Sequence, residues 1–587
     1  MALDLGKGLY VTLAPWLLPI IEAVLLIAAV ILTFLSRDKS SGVAGRSARA
    51  TIARSTPVPF LSWDGAFSRF ARRRKLSLAA VGIGTLAVRV ALIPVWGVPK
   101  PAVHDEFSFL LAADTFSQGR LTNPPHPMWI HFEGFHIIQQ PTYMSMYPPG
   151  QGLVLALGQV LGHPWIGQLL ITALMCACLC WMLQAWVPPQ WALLGACLAV
   201  LRPVLLSYWM NSYFATSITA LGGILILGAL PRIRRNARLV DAVWFGIGLA
   251  LLANTRPYEG LVFSLPIVAA AVVWMLWQRK LPSRIVFLRV ALPLILILLC
   301  TGGAMGYYFW RVTGSPFVMP YQVNRATYAV APYYVWQKPR PEPVYHHAEM
   351  RDFYMNWELR SYEEGRSFVG FVNRIGRRIG MLWAFYIGPV YTLPLLASPW
   401  LFRDRKMRLP LTLAGCVAAG NVIETWTLVH YLAPVFGLIF LFIVQCLRHL
   451  RLYRRRGRSI GFGLARAVPT VCVAMVVLRV TAMAAGARIE PPRPMGHPKQ
   501  TAIEQELQRL PGQQLVIVHY SPSHIPHEDW INNRADIDAS KIVWARDMGD
   551  SKNRELLDYF KNRRAWLVNA DESPAVLRAY GPSVTAK

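Results

Sequence analysis

The sequence predicts an all-α polytopic membrane protein of about twelve transmembrane helices, with interfacial helices in its first external loop and a small C-terminal α/β domain. Three observations carry that expectation. The 587 residues are 54% hydrophobic, with a mean hydropathy of +0.35, and apolar runs recur near the ~20 residues that cross a bilayer. Lys and Arg number 60 against 31 Asp and Glu, a formal charge of +29. The basic residues collect in short connectors, SRFARRRK, PRIRRNAR, QRKLPSR, RDRKMR and RHLRLYRRRGR, as the positive-inside rule requires. From Ala487 onward the apolar runs give way to mixed polar patterns. In a soluble chain such charge would suggest nucleic-acid binding, but confined to connectors it argues against it.

The run Val11 to Leu35 is too long for a signal-peptide core and lacks a basic flank before it, so it reads as a retained first helix. A basic segment, Ser36 to Lys75, follows on the cytoplasmic side. Leu76 to Trp96 crosses outward into the first external loop, Pro101 to Pro149, and Gln151 to Gly162 reads as a second interfacial helix. Further spans are expected at Trp165–Trp186, Trp191–Tyr208, Tyr213–Leu230, Ala242–Asn254, Tyr258–Trp277 and Ile285–Trp310. Four more follow at Gly380–Phe402, Leu409–Glu424, Leu428–Leu447 and Ile460–Ala484. This alternation puts the basic connectors on one face and both long loops on the other. The second loop, Arg311 to Arg378, is rich in Tyr, Trp, Pro and charge. In the tail, a proline-rich linker EPPRPMGHP precedes helix TAIEQELQRL, strands LVIVHY and KIVWARD, helix NRELLDYFKNRR and strand AWLVNA.

The stretch VHDEFSFLLAADTFSQGR, Val103 to Arg120, opens an amphipathic helix on two adjacent carboxylates, Asp105 and Glu106. Neighbours on a helix are turned by about 100°, so the two acids point different ways. One can face a reaction centre while the other binds metal, acceptor or backbone. The rival reading makes both of them first-turn acids favoured by the helix dipole, with His104 incidental. Arg256 and Glu259 in NTRPYEG read either as a structural ion pair or as an anion site, because a guanidinium offers paired donors to phosphate. Arg325 in YQVNRAT is a second cation near the membrane. His430 and Tyr431 in VHYLAPVFG read as interfacial anchors or as site residues, and Asn211 as cavity lining or a turn. His346, His347, His519, His524, His527, Glu528 and Asp529 match no closed zinc pattern and read as loop residues. All eight cysteines lie in apolar stretches, which argues against a disulfide framework. A Walker motif is absent, so ATP hydrolysis has no support.

An Asp-Glu pair opening a juxtamembrane helix, the YPPG approach to the next span, Thr255–Pro257 and the HYLAP segment together resemble a known family. It is the polytopic GT-C fold glycosyltransferases, in their protein O-mannosyltransferase and aminoarabinose transferase (glycosyltransferase family 39-like) branch. The resemblance spans roughly residues 76 to 450; the N-terminal helix and the α/β tail depart from the simplest members. With it the chain divides into an extra N-terminal helix and basic linker at 1–75 and a GT-C-like catalytic domain at 76–486 with external loops 97–150 and 311–379. Residues 487–587 are then a soluble external α/β domain. The implied reaction is an inverting transfer of a sugar from a polyprenyl-phosphate donor to a glycan, lipid or protein hydroxyl, at the external face of a bacterial inner or plasma membrane. Asp105 is the implied general base and Glu106 orients acceptor or, where a divalent metal takes part, the metal. Arg256, Arg325, His430 and Tyr431 are expected on the donor phosphate. His104, Tyr147, Asn211, Glu259 and Tyr321 are expected to line the pocket. The competing readings are a polytopic secondary transporter, since about twelve helices also suits one, and a scaffold presenting the tail.

Overall fold

The computed structural model describes residues 2–35, 58–278, 281–455, 459–487 and 497–580. The basic linker from Ser36 as far as residue 57, the proline-rich stretch 488–496, and parts of two basic connectors at 279–280 and 456–458 lie outside the described residues. Each of the twelve expected spans falls on helix. Among the described residues, seven helices are long and apolar enough to cross a membrane: Trp16–Phe34, Pro164–Trp186, Thr216–Asn236, Pro257–Trp277, Ser283–Thr313, Val429–Leu450 and Ile460–Ala484. The other five expected spans are shorter or broken. Leu239–Ala253 has 15 residues, and Arg408–Ile423 has 16. Arg74–Ala91 carries Arg89 within it. Pro189–Ala199 runs into a π-helical turn, Val200–Val204, that contains Pro203, whose ring removes a backbone donor. The span expected at Gly380–Phe402 divides at the π-helical turn Trp383–Ile387 and restarts at Gly388–Leu395.

These two breaks meet at one buried ion pair. Arg202 places Nε 2.9 Å and Nη2 3.1 Å from the Glu22 carboxylate and donates to the carbonyls of Phe385 at 2.6 Å and Ala384 at 3.1 Å. Gly388 stands at φ +53°, and a Cβ there would lie 1.9 Å from Arg202 Nη2, so only glycine admits the guanidinium. The N-terminal helix is thereby tied to the bundle by charge as well as by packing on Ile460–Ala484.

The loop between Trp96 and Pro149 forms the helix His104–Ser117, a 3₁₀ turn Trp129–Phe132 and a two-residue antiparallel hairpin, Ile137–Ile138 with Met144–Ser145. Ser108 Oγ donates to the His136 carbonyl at 2.7 Å and lies 2.7 Å from Ser145 Oγ, which seats the helix on the hairpin. In the tail, strand Gln514–His519 lies between Ile542–Arg546 and Arg564–Asn569, all parallel, with Arg578–Ala579 antiparallel at the edge. Alternation along the central strand sends Leu515 and Ile517 into a core shared with Leu111, Phe132, Ile137 and Tyr143 of the first loop. Val516 and Val518 pack on the other side with Leu507, Trp530 and Trp544. The tail is thus seated on the loop that carries the acidic pair. The Glu22–Arg202 pair predicts a large local penalty: Glu22→Ala strands a buried cation and costs about 3 kcal/mol. Thermal unfolding in detergent reads this out, and a loss no greater than that of the lipid-facing control Val24→Ala would refute it.

Candidate active site

The acids of the first loop take different roles because the first helical turn points them apart. Glu106 is buried, and three backbone amides supply its partners: Ala102 N–H at 2.9 Å, Val103 N–H at 3.4 Å and Tyr213 N–H at 3.0 Å. Burial pushes its carboxyl up to about 7 against those donors. Glu106 therefore pins the helix start to the turn before Thr216–Asn236. Its oxygens face amide hydrogens, which a metal would have to displace, and among the described residues no cluster of three or more His, Cys, Asp or Glu is placed to hold one.

Asp105 instead turns toward the loop interior, where Oδ1 meets His136 Nδ1 at 2.7 Å and accepts a hydrogen bond from the Tyr147 hydroxyl. The same hydroxyl lies 3.1 Å from His136 Nδ1. Burial alone would raise the Asp105 carboxyl, but His136, through charge and hydrogen bond, outweighs it and holds the group well below the usual carboxylate range. His136 sits at φ +59°, a left-handed conformation uncommon for a side chain with a Cβ. Its carbonyl is clamped by Ser108 Oγ and by Met146 N–H at 3.1 Å, so the surrounding loop enforces the strain that aims the ring at Asp105.

Arg256 caps the start of helix Pro257–Trp277, where the helix dipole adds to its charge. Its Nη1 donates to Glu259 at 3.1 Å and its guanidinium lies 4.1 Å over the Tyr431 ring. Among the described residues Glu259 is the one hydrogen-bond acceptor it meets. Tyr321 and Tyr147 both lie within its electrostatic reach, and their rings contact each other edge-on at 5.4 Å. Asp105, Tyr147, Tyr321 and Arg256 are therefore placed in one neighbourhood. His430 packs on Phe214 at 4.9 Å and Tyr431 at 5.0 Å, within the fields of both Arg256 and Asp105. YPPG and NTRPYEG meet directly: Gly150 N–H donates to Asn254 O at 2.9 Å, and a Cβ on Gly150 would lie 2.6 Å from that oxygen. Beside Arg256 a narrow slot runs between helices, lined by Glu259, Val262, Val417, Glu424, Tyr431 and Pro434.

Two expected site residues are placed elsewhere. Arg325 is buried in a fork with Glu358, both contacts 2.7 Å, donates to Ala331 O at 2.6 Å and lies over Tyr333 and Trp426. Its donors hold the second long loop together. Asn211 accepts from Arg89 Nε at 2.7 Å and donates to the carbonyls of Leu205 and Ser207, which makes it a turn residue. His104 is buried, stacked on His527 of the tail with His104 Nε2 3.3 Å from His527 Nδ1. Burial, then the like charge of His136, pushes His104 below the usual imidazole range. His527 lies in the loop after strand Gln514–His519, and the sheet brings that loop onto the first-loop helix.

The sequence reading missed His136 and Glu133. Glu133, buried, accepts from Tyr328 at 2.7 Å and meets His346 at 2.8 Å and His347 at 3.3 Å, while its carbonyl accepts from Arg546 Nε at 2.9 Å. First loop, second loop and tail converge on it. The one signal available was an acid and a histidine in the otherwise proline- and aromatic-rich EGFH segment.

No family model and no curated protein matches the sequence. Among solved structures the chain is similar to an oligosaccharyltransferase of Archaeoglobus fulgidus, crystallised with zinc and sulfate. That match has 11% identity and a TM-score of 0.48, over 84% of this chain and 67% of the other. It is also similar to ArnT of Cupriavidus metallidurans in the apo state, with 16% identity, a TM-score of 0.46, and coverage of 84% and 93%. The same protein bound to undecaprenyl phosphate matches at 14% identity and a TM-score of 0.45, with coverage of 83% and 92%. Both are GT-C fold glycosyltransferases.

The different partners of the paired acids predict different losses. Glu106→Gln turns one amide group toward backbone N–H donors and lowers stability by about 1–3 kcal/mol, read as a shift in thermal midpoint. A midpoint equal to wild type would remove Glu106 from its structural role.

Proposed function

We propose that the chain is a membrane glycosyltransferase that takes a sugar from a polyprenyl-phosphate-linked donor and transfers it, with inversion, to an acceptor hydroxyl. The reading places the reaction at the external face of a bacterial inner or plasma membrane. The observation that carries it is the joining of Asp105 and Arg256 into one site through Tyr147 and Tyr321. Such a reaction needs two things of a protein. It needs a base for the acceptor hydroxyl and fixed positive charge where a phosphate leaves.

In this reading Arg256, with Tyr431 and His430 beside it, binds the donor phosphate. The acceptor oxygen attacks the anomeric carbon as the bond from that carbon to the phosphate oxygen breaks, and the electron pair leaves on the phosphate. Asp105 receives the hydroxyl proton, with His136 and Tyr147 fixing its orientation. Arg325 is left out of phosphate binding because Glu358 and Ala331 occupy its donors. A transporter would place open binding groups on interrupted helices near the midplane. Here the interruptions at Val200–Val204 and Trp383–Ile387 close on Arg202, whose donors are taken by Glu22 and two carbonyls.

Asp105→Asn lowers kcat by about 10²–10⁴-fold while the protein stays folded, measured with radiolabelled polyprenyl-phosphate sugars in lipid; near-normal turnover would take Asp105 out of the base role. Arg256→Ala raises the donor Kd about tenfold or more, and unchanged donor affinity would count against the phosphate assignment. The pH profile separates orientation from chemistry. The wild-type Asp105 pKa is depressed, so its anion persists into acid and the acid limb of kcat/KM lies low. In His136→Gln burial prevails, the Asp105 pKa rises, and the acid limb moves to higher pH. A limb that stays in place would show that His136 does not set the charge of Asp105.

A further inference from the structure

At the end of helix Phe436–Leu450 remote from His430 lies a second cavity, of about 290 Å³, lined by Trp191, Asp404, Gln445, Arg448, His449 and Arg451. The 18 steps from His430 to Arg448, a 3₁₀ turn as far as Val435 and α-helix beyond it, rise about 30 Å at ~2.0 and ~1.5 Å each, matching the ~30 Å thickness of a bilayer's hydrocarbon core. The cavity therefore sits at the opposite membrane face from the reaction centre, the face that the basic connectors assign to the cytoplasm.

Its lining is cationic and only partly self-satisfied. Arg448 Nη1 donates to Gln445 Oε1 at 2.5 Å, and among the described residues its other donors meet no acceptor. Arg451 lies over the rings of Trp191 and Phe462, at 5.8 and 5.2 Å, contacts that fix the guanidinium plane while leaving its N–H edge open. The acid in the lining, Asp404, is already committed: Oδ1 accepts from Lys406 N–H at 2.9 Å and Oδ2 from Gln445 Nε2 at 3.3 Å. Apolar side chains stand exposed on the flanking segments, Leu452 at 75%, Phe402 at 71% and Trp400 at 48% of full exposure. A free anion would use the arginines and leave those apolar surfaces unexplained. A molecule with a phosphate head and acyl chains uses both.

We infer that this cavity is a binding site for the phosphodiester headgroup of an anionic membrane phospholipid, with Arg448 and Arg451 on the phosphate and the acyl chains against Trp400, Phe402 and Leu452. The inference is independent of the proposed transfer chemistry. An anionic headgroup is favoured over a zwitterionic one because the lining brings two guanidiniums and one engaged carboxylate.

The test uses the purified full chain in nanodiscs of phosphatidylcholine alone or of phosphatidylcholine with 30% phosphatidylglycerol, reading retained lipid by native mass spectrometry and stability by thermal unfolding. The wild type is expected to retain phosphatidylglycerol at least tenfold over the Arg448→Ala/Arg451→Ala variant and to melt several degrees higher in the anionic discs. The variant is expected to melt equally in both. Arg448→Lys/Arg451→Lys, which keeps the charge, guards against misfolding and is expected to restore part of the retention. Equal retention by wild type and alanine variant would overturn the site, as would an equal loss in Arg403→Ala/Arg405→Ala, which removes nearby charge outside the cavity. Stabilisation by millimolar inorganic phosphate in phosphatidylcholine discs, without a phosphatidylglycerol effect, would assign the arginines to a free anion and overturn the lipid.

Discussion

An ion removed from water must be given a partner, and in a largely apolar chain this constraint organises both halves of the molecule. Within the bundle it appears as Glu22 with Arg202, at the junction of two broken helices. In the loops it appears as Arg325 with Glu358, Glu133 with His346 and His347, and Arg546 with Asp529. Glu22 with Arg202 and Glu133 with His346 join segments about two hundred residues apart, while Arg325 with Glu358 and Arg546 with Asp529 fix shorter loops, so each works as a clasp. The Glu133 and Arg546 contacts share a backbone carbonyl and link three segments that hydrophobic burial alone would pack without fixed register. Asp105 with His136 is the pair in which the acid faces the shared site. It retains partial exposure while the clasps are closed.

Helical content and the order of elements were legible because apolar runs and their boundaries are local properties. Pro164–Trp186 and Ile460–Ala484 fall within a residue of their expected bounds. The breaks were not legible. The π-helical turn at Trp383–Ile387 sits in an apolar run, and its cause lies in Arg202, nearly two hundred residues earlier, drawing on the carbonyls of Ala384 and Phe385. In the tail, the run LVIVHY reads as a strand, and strand Gln514–His519 is buried on both faces. What covers its second face, Leu111, Phe132 and Ile137, lies some four hundred residues away, and no periodicity announces it.

The candidate site shows the same division. Asp105, Arg256, Tyr147, Tyr321 and Tyr431 come together, and their motifs had marked them because charge and ring clusters near apolar runs are unusual. His136 went unnoticed since one histidine in a loop has no signature. Its role arises from a left-handed backbone set by contacts with Ser108 and Met146. Arg325 carried the same local signal as Arg256, a lone cation near a membrane boundary. What separates them is Glu358, in a π-helical segment, Asp352–Leu359, whose register sequence pattern does not reveal.

The paired acids show how far helix geometry alone could have gone. With Val103 at the N-cap, His104 is the first helical residue and Glu106 the third, the position from which a glutamate reaches back to the exposed amides of the preceding turn. The hydrogen bonds from Ala102 and Val103 follow from that position. Valine at the N-cap offers no side-chain oxygen, so the reciprocal half of a capping box is missing and Glu106 alone serves the first amides. Asp105, one position earlier, is too short and turned by about 100°, so it projects toward the hairpin where His136 waits. Placing Glu106 on the amides and Asp105 in the site thus requires one further fact beyond the sequence pair, the location of the helix start. Once Val103 is the cap, burial and partner together leave Asp105 as the acid of this pair that faces His136 and Tyr147.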